Sequence, residues 1–187
     1  MIKRLIVGIT GASGSIYAKQ LLLALDREDI EIHIVITDNG KAVFKYELDL
    51  DFDEWISSFT DVFVHDNSNM FSSIASGSFR TAGMIILPCS MATMAKIAHG
   101  IGDTLLCRAA DVVLKQRKKL VVCPRETPLN TIHIKNMLAV SESSGIIFPT
   151  VPAFYAKPDS LEDMVNISVS RILEVFDIET EKYFEWR

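Results

Sequence analysis

Mostly apolar runs separated by helical patterns constrain this chain more than any other feature. RLIVGIT (4–10), EIHIVIT (31–37), GMIILP (83–88) and KLVVCP (119–124) place apolar residues at consecutive positions, so a strand made from any of them buries both faces. Such strands belong to a parallel sheet with helices on each side, because a parallel crossover needs a helix-length connection. Helical periodicity predicts helices over about 15–26, 41–45, 91–98, 103–115, 132–143 and 161–176, the last with Leu161, Met164, Val165 and Ile172 on one side. GIIFP (145–149) predicts one more strand. Residues 48–81 mix Asp, Ser and Asn with Phe and Trp55 and are expected as helices or loops beside the sheet. The expected architecture is α/β, a doubly wound parallel sheet in three layers, with residues 1–187 as one domain.

A formal net charge of −5 gives no general pull on polyanions, so nucleic acid is not an expected partner and any anion site must be local. Cys89, Cys107 and Cys123 are odd in number and form no C-x-x-C pair, which argues against a zinc knuckle or a disulfide framework and suits a reducing cytoplasm. His33, His65, His99 and His133 lack metal-like spacing and are expected to be structural or exposed. The start MIKRLIVGITGAS is interrupted by Gly8 and Gly11 and reads as a first strand rather than a signal peptide, and no run has the length needed to cross a bilayer.

In doubly wound folds ligands sit beyond the carboxyl ends of the strands. TGASGS (10–15) lies there, after the first strand. Gly11 and Gly14 let backbone approach a ligand, and Ser13, Ser15 and the first N–H groups of the next helix can donate to an anion. A tight turn with a serine cap is the ordinary alternative, since the loop matches neither G-x-G-x-x-G nor a Walker loop. Other strand ends add Thr37, then Ser90 and Thr93, then Arg125 and Glu126. Hydroxyls and one arginine on one edge suit a ligand with a single phosphate and many polar atoms, such as flavin mononucleotide.

Six stretches, GITGASGSIYAKQLL, ASGSFRTAGMIILPCSMAT, RAADVVLKQRKKLVV, PRETPLNTIHIKNML, PAFYAKPDSLEDMV and a terminal Trp186, resemble the flavin prenyltransferases, a family also known as aromatic acid decarboxylase subunits. The resemblance runs over nearly the whole chain. It implies a flavodoxin-like, Rossmann-like fold, assembly into dodecamers and active sites where subunits meet. It implies transfer of a dimethylallyl group from dimethylallyl phosphate to N5 and C6 of reduced FMN, without a metal, the product serving as cofactor for a separate decarboxylase. On the matching positions, Gly11, Ala12, Ser13, Thr37, Ser90, Thr93 and Arg125 would hold the flavin, although many relatives carry Ser-Lys where this chain has Thr37-Asp38.

The prenyl phosphate would be held by Ser76, Arg108, Lys115, Tyr155 and Arg171, with Phe184 and Trp186 closing the prenyl pocket. Fixed cations suit that step, because ionising an allylic C–O bond builds charge on the departing phosphate. Arg108 and Lys115 stand two helical turns apart and can share a side. Pairing of Arg108 with Asp111, solvation of Lys115 within KQRKK and a surface place for Arg171 are the ordinary alternatives. Glu126 is the implied proton donor to the leaving phosphate, and Ser13 with Glu47 the implied pair for ring closure; a carboxyl beside phosphate and flavin is expected to have a raised pKa. Pairing of Glu126 with Arg125 remains open. Other functions are a flavin-dependent cysteine decarboxylase, which the segment PRETPLNTIHIKNM disfavours, a subunit of an aromatic acid decarboxylase, and a carrier that binds FMN without changing it.

Overall fold

Six short runs rich in Ile, Val and Leu pair in parallel because the helices between them return the chain to the same end of the sheet. The computed structural model describes residues 3–26, 28 and 30–180. The chain order is β1 (Lys3–Ile9), α1 (Ser15–Leu25), β2 (Ile30–Ile36), α2 (Asp38–Leu48), α3 (Phe52–Ile56), β3 (Val62–His65), β4 (Gly83–Cys89), α4 (Met91–Ala98), α5 (Leu105–Lys115), β5 (Lys119–Pro124), α6 (Thr131–Glu142), β6 (Ile146–Ile147) and α7 (Leu161–Glu174). Single 3₁₀ turns occupy Ser73–Ala75 and Phe154–Ala156. The sheet runs β3-β2-β1-β4-β5-β6, the doubly wound order of Rossmann-like folds.

Alternation along β1 divides the core in two. Leu5, Val7 and Ile9 pack with α1 and α7, whereas Ile6 faces the layer built from α4 and α5 with Met84, Ile86 and Val122. Each fully buried Leu or Ile contributes about 1.5–3 kcal/mol, so these layers dominate the stability of the sheet. Gly83 starts β4 at φ 151°, and a Cβ there would collide with the Lys119 carbonyl oxygen, so the position accepts only glycine.

The irregular stretch 48–81 departs from expectation. It holds α3 and also β3, which is a strand of the main sheet rather than an addition beside it. β3 is a four-residue edge strand with Phe63 and Val64 about half exposed, too short and too solvated to show a buried pattern. The helix expected around 41–45 extends over Asp38–Leu48, started by its Thr37 cap, and β6 covers only Ile146–Ile147. Among the described residues no helix is long and apolar enough to cross a membrane.

Thr10 ties the two strands at the centre of the carboxyl edge. Its buried hydroxyl donates to Pro88 O at 2.8 Å and accepts from Ser90 N–H at 2.7 Å. Thr10→Val leaves the Ser90 N–H without its acceptor and is expected to lower the unfolding free energy by about 1–3 kcal/mol, read from the urea midpoint at constant m.

Candidate active site

Four segments converge at the carboxyl ends of β1, β2, β4 and β5. Gly14 closes the first at φ 117°, the left-handed turn that sends the chain into α1. The N-terminus of α1 is then filled by a side chain from α2. Glu47 Oε2 accepts from Ser15 N–H at 2.7 Å and from Gly14 N–H at 3.0 Å, and the Ser13 side chain helps to keep this carboxylate ionised. The expectation that these free N–H groups await a ligand anion is therefore corrected: the anion on α1 is Glu47, drawn there by orphan donors and the positive end of the helix dipole.

The electrostatics of Glu47 also differ from expectation. Partial burial pushes its pKa up, but hydrogen bonds from Ser13, Ser15 and Gly14 outweigh that and hold it below the usual carboxylate range. A depressed folded-state pKa contributes stability that is present above the unfolded value and is lost as pH falls through the folded one. Accordingly Glu47→Gln should cost stability at neutral pH, and its deficit relative to wild type should shrink on acidification below about pH 4; chemical denaturation at each pH measures both.

Hydroxyls line the neighbouring strand ends. Thr37 caps α2 by accepting from Gly40 N–H at 3.0 Å, and Gly11 lies so close to Asn39 that a Cβ would collide with it. Ser90 caps α4, accepting from Thr93 N–H at 3.3 Å and donating to Thr93 Oγ1 at 3.1 Å. The hydroxyl protons of Thr37 and Thr93 thus remain available to a ligand. Arg125 N–H is held by Cys89 O at 3.1 Å, and its exposed guanidinium pairs with no described carboxylate. Glu126 does not pair with Arg125; its Oε1 accepts from Thr127 N–H at 3.0 Å. Two spare hydroxyl protons, an uncommitted arginine and glycine backbone at the strand ends form a donor set that fits a phosphate and a polar ring system.

The residues expected to hold a prenyl phosphate lie on two faces of the sheet. On the α4–α5 face, Thr104 caps α5 while Asn67 accepts from Leu105 N–H through its carbonyl at 2.8 Å and from Leu106 N–H through Oδ1 at 3.0 Å. Arg108, on the next turn, donates through Nε to Ala75 O at 3.3 Å and pairs with Asp111 at 2.7 Å. Ser76 follows Ala75, its hydroxyl bonded to Ser78 Oγ at 2.9 Å, and a Cβ on Gly77 would stand 2.5 Å from Gln116 Nε2. The 73–78 segment therefore lies along α5, and Lys115 is exposed at the end of that helix. On the opposite face α7 carries Arg171, paired with Glu174 at 2.8 Å, and Tyr155 sits in the 3₁₀ turn before α7. The sheet separates Arg108 and Lys115 from Arg171 within one protomer. Phe184 and Trp186 lie outside the described residues.

Sequence reading missed Thr10 and Asn67, whose roles rest on partners far along the chain. It also missed the His33–His65 contact, 2.8 Å between ring nitrogens on β2 and β3. His133 completes the Asn130 capping box of α6, and His99 bonds Ala95 O. Cys89, Cys107 and Cys123 are buried and free, and burial pushes all three thiols up, so they are core residues rather than nucleophiles. Among the described residues no group of three or more His, Cys, Asp or Glu could hold a metal ion.

Residues 1–173 match the family described as Flavoprotein, which is the class that this sheet and its carboxyl-edge donors define. A flavin prenyltransferase UbiX from Neisseria meningitidis is 46% identical over 187 residues, covering 100% of this chain and 98% of that protein. The crystal structure of AnUbiX (PadA1) in complex with FMN and dimethylallyl pyrophosphate superposes with a TM-score of 0.96 at 42% identity, covering 100% of this chain and 98% of that one. A dodecameric FMN-dependent UbiX-like decarboxylase from Escherichia coli O157:H7 superposes with a TM-score of 0.93 at 42% identity, over 98% of this chain and 99% of that one. The chain belongs to the flavin prenyltransferase family.

Proposed function

We propose that this protein, as a single flavoprotein domain, transfers a dimethylallyl group from dimethylallyl phosphate to N5 and C6 of reduced FMN and releases phosphate. The observation that carries this reading is Glu47 at the α1 N-terminus, bonded to the N–H groups of Gly14 and Ser15, beside the hydroxyl array of Thr37, Ser90 and Thr93. A carrier of FMN needs the array and the glycine loop but has no use for Arg108, Lys115, Glu126 and Arg171 together.

Gly11, Ala12, Ser13, Thr37, Ser90, Thr93 and Arg125 hold the flavin, which supplies the nucleophilic nitrogen and carbon. Arg108, Lys115, Arg171, Tyr155 and Ser76 gather around the donor phosphate and stabilise the charge that it gains as the allylic C–O bond breaks, an interaction stronger in the transition state than in the ground state. Glu126 gives the departing phosphate a proton. Glu47, ionised and oriented by Ser13, accepts the proton released on ring closure. Because the sheet separates α5 from α7, these cations meet only where one protomer's α5 faces another's α7, in a dodecamer like that of the Escherichia coli relative. The product passes to a separate decarboxylase. Free buried cysteines suit a cytoplasmic setting.

Incubating the purified protein anaerobically with reduced FMN and dimethylallyl phosphate should yield, by mass spectrometry, a flavin heavier by one prenyl group together with free phosphate. Dimethylallyl pyrophosphate in a parallel reaction defines the donor. Recovery of unmodified FMN from both reactions would refute transferase activity.

A further inference from the structure

A chain of four side-chain hydrogen bonds crosses β1, β2 and β3 and ends beside the last residue of β3, apart from the donor set described above. Arg4 Nε donates to Glu31 Oε1 at 2.7 Å, and Glu31 Oε1 meets His33 Nε2 at 2.8 Å. His33 Nδ1 meets His65 Nε2 at 2.8 Å, and His65 Nδ1 meets Ser72 Oγ at 2.8 Å. His33 is 4% exposed, stacked on Phe63 at 5.1 Å and edge-on to Phe79 at 4.8 Å. Nothing in the proposed chemistry uses these residues.

Proton counting shows what the chain can hold. Glu31 accepts, so His33 Nε2 carries a proton. In the neutral pair His33 Nδ1 accepts from His65 Nε2–H, and His65 Nδ1 accepts from the Ser72 hydroxyl. One added proton reverses the direction: His33 Nδ1–H donates to His65 Nε2, and His65 Nδ1–H donates to Ser72 Oγ. Every bond survives in both states. A second added proton places N–H against N–H at 2.8 Å with two positive charges, and the bond between the rings is lost, and with it the tie that runs from Ser72 through His65 to His33 on β2.

We propose that the His33–His65–Ser72 chain is an acid-sensitive latch that positions residues 66–78, the segment carrying both Asn67 at the start of α5 and Ser76. The latch fastens that segment at Ser72, between its two functional ends. Asn67 holds the first turn of α5, and Ala75 O holds Arg108 Nε, so freeing the segment loosens Ser76 and Arg108 together. Burial lowers the pKa of both rings; for His33 it outweighs the bond to Glu31, and for His65 the neighbouring His33 adds to it. The latch therefore holds at neutral pH and opens as pH falls below the usual imidazole range through the lowered values. Other charges near the pair leave this sign unchanged. Arg4 and Glu31 sit at its β1–β2 end. Asp38, Lys41, Asp66 and Asp103 share the cavity beside His65, where Lys41 pairs with Asp53 and Asp103 with Lys96.

The proposal rests on the prenyltransferase reading only for what Ser76 and Arg108 bind, so its first readout needs no activity. Hydrogen–deuterium exchange of the full-length assembly, corrected for intrinsic rates, should rise about tenfold at 66–78 relative to β4 between about pH 7.5 and about pH 5. Ser72→Ala should raise exchange there at about pH 7.5 towards the level that wild type reaches at about pH 5, and His65→Gln, which keeps a polar side chain without a titrating charge, should abolish the acid step. Equal protection of 66–78 at both pH values in wild type, or an unchanged acid step in His65→Gln, overturns the latch. Ser72→Ala removes one partly buried hydroxyl, so it keeps the test open should His65→Gln fail to fold. Its KM for dimethylallyl phosphate should rise several-fold with kcat retained; the donor's own titration near pH 6 is common to both proteins and divides out of the ratio. An unchanged KM overturns the link to Ser76 and Arg108, and failure of prenyl transfer in wild type would leave the exchange result standing.

Discussion

Glu126→Gln slows prenyl transfer by about 100-fold or more while FMN affinity stays near wild type, as expected for loss of a general acid. The amide keeps the carbonyl oxygen that accepts from Thr127 N–H, so the loop after β5 retains its shape and Arg125 its anchor to Cys89 O. Only the transferable proton is lost. Single-turnover kinetics with bound reduced FMN, together with a flavin fluorescence titration, separates the two quantities. A parallel fall in FMN affinity and transfer rate would make Glu126 a structural carboxylate and remove its role as proton donor.

Arg108→Ala and Arg171→Ala should each abolish most transfer, yet the two variants, unfolded together and reassembled, should regain part of it. The physical reason is the sheet: α5 packs on one face and α7 on the other, so one protomer cannot bring these two guanidinium groups to a common phosphate. Where a site takes α5 from one chain and α7 from another, random mixing in equal amounts leaves about a quarter of sites with both arginines native. Recovered activity near that fraction, with either variant alone inactive, is the expected measurement. No recovery in a mixed assembly of correct mass would place both residues at one protomer's own site. In each variant the helical partner, Asp111 or Glu174, loses only a half-exposed ion pair, so the fold is little affected.

Prediction from the chain succeeds or fails here by the range of the interaction. β1, β2, β4 and β5 are apolar on both faces, and that pattern is local, so their number, direction and covering layers could be read directly. β3 escaped because its four residues are stabilised by pairing with β2 and leave half their surface in water. The caps Thr37, Ser90, Thr104 and Asn130 act within three residues of themselves, and the hydroxyls expected at the strand ends proved to be among them. Glu47 illustrates the opposite case. Its type and position suggested an acid–base group with a raised pKa, but its partners lie 32 and 33 residues away and depress the pKa instead.

Hydrophobic periodicity and strand-end chemistry thus reach as far as a doubly wound sheet with a flavin-binding edge, since both depend on residues within a few positions of each other. Tertiary structure alone put Glu47 on the α1 N-terminus, set Arg108 and Arg171 on opposite faces and brought His33 to His65. Those outcomes turn on strand order and on which face each helix covers, and packing across the whole sheet is what decides them.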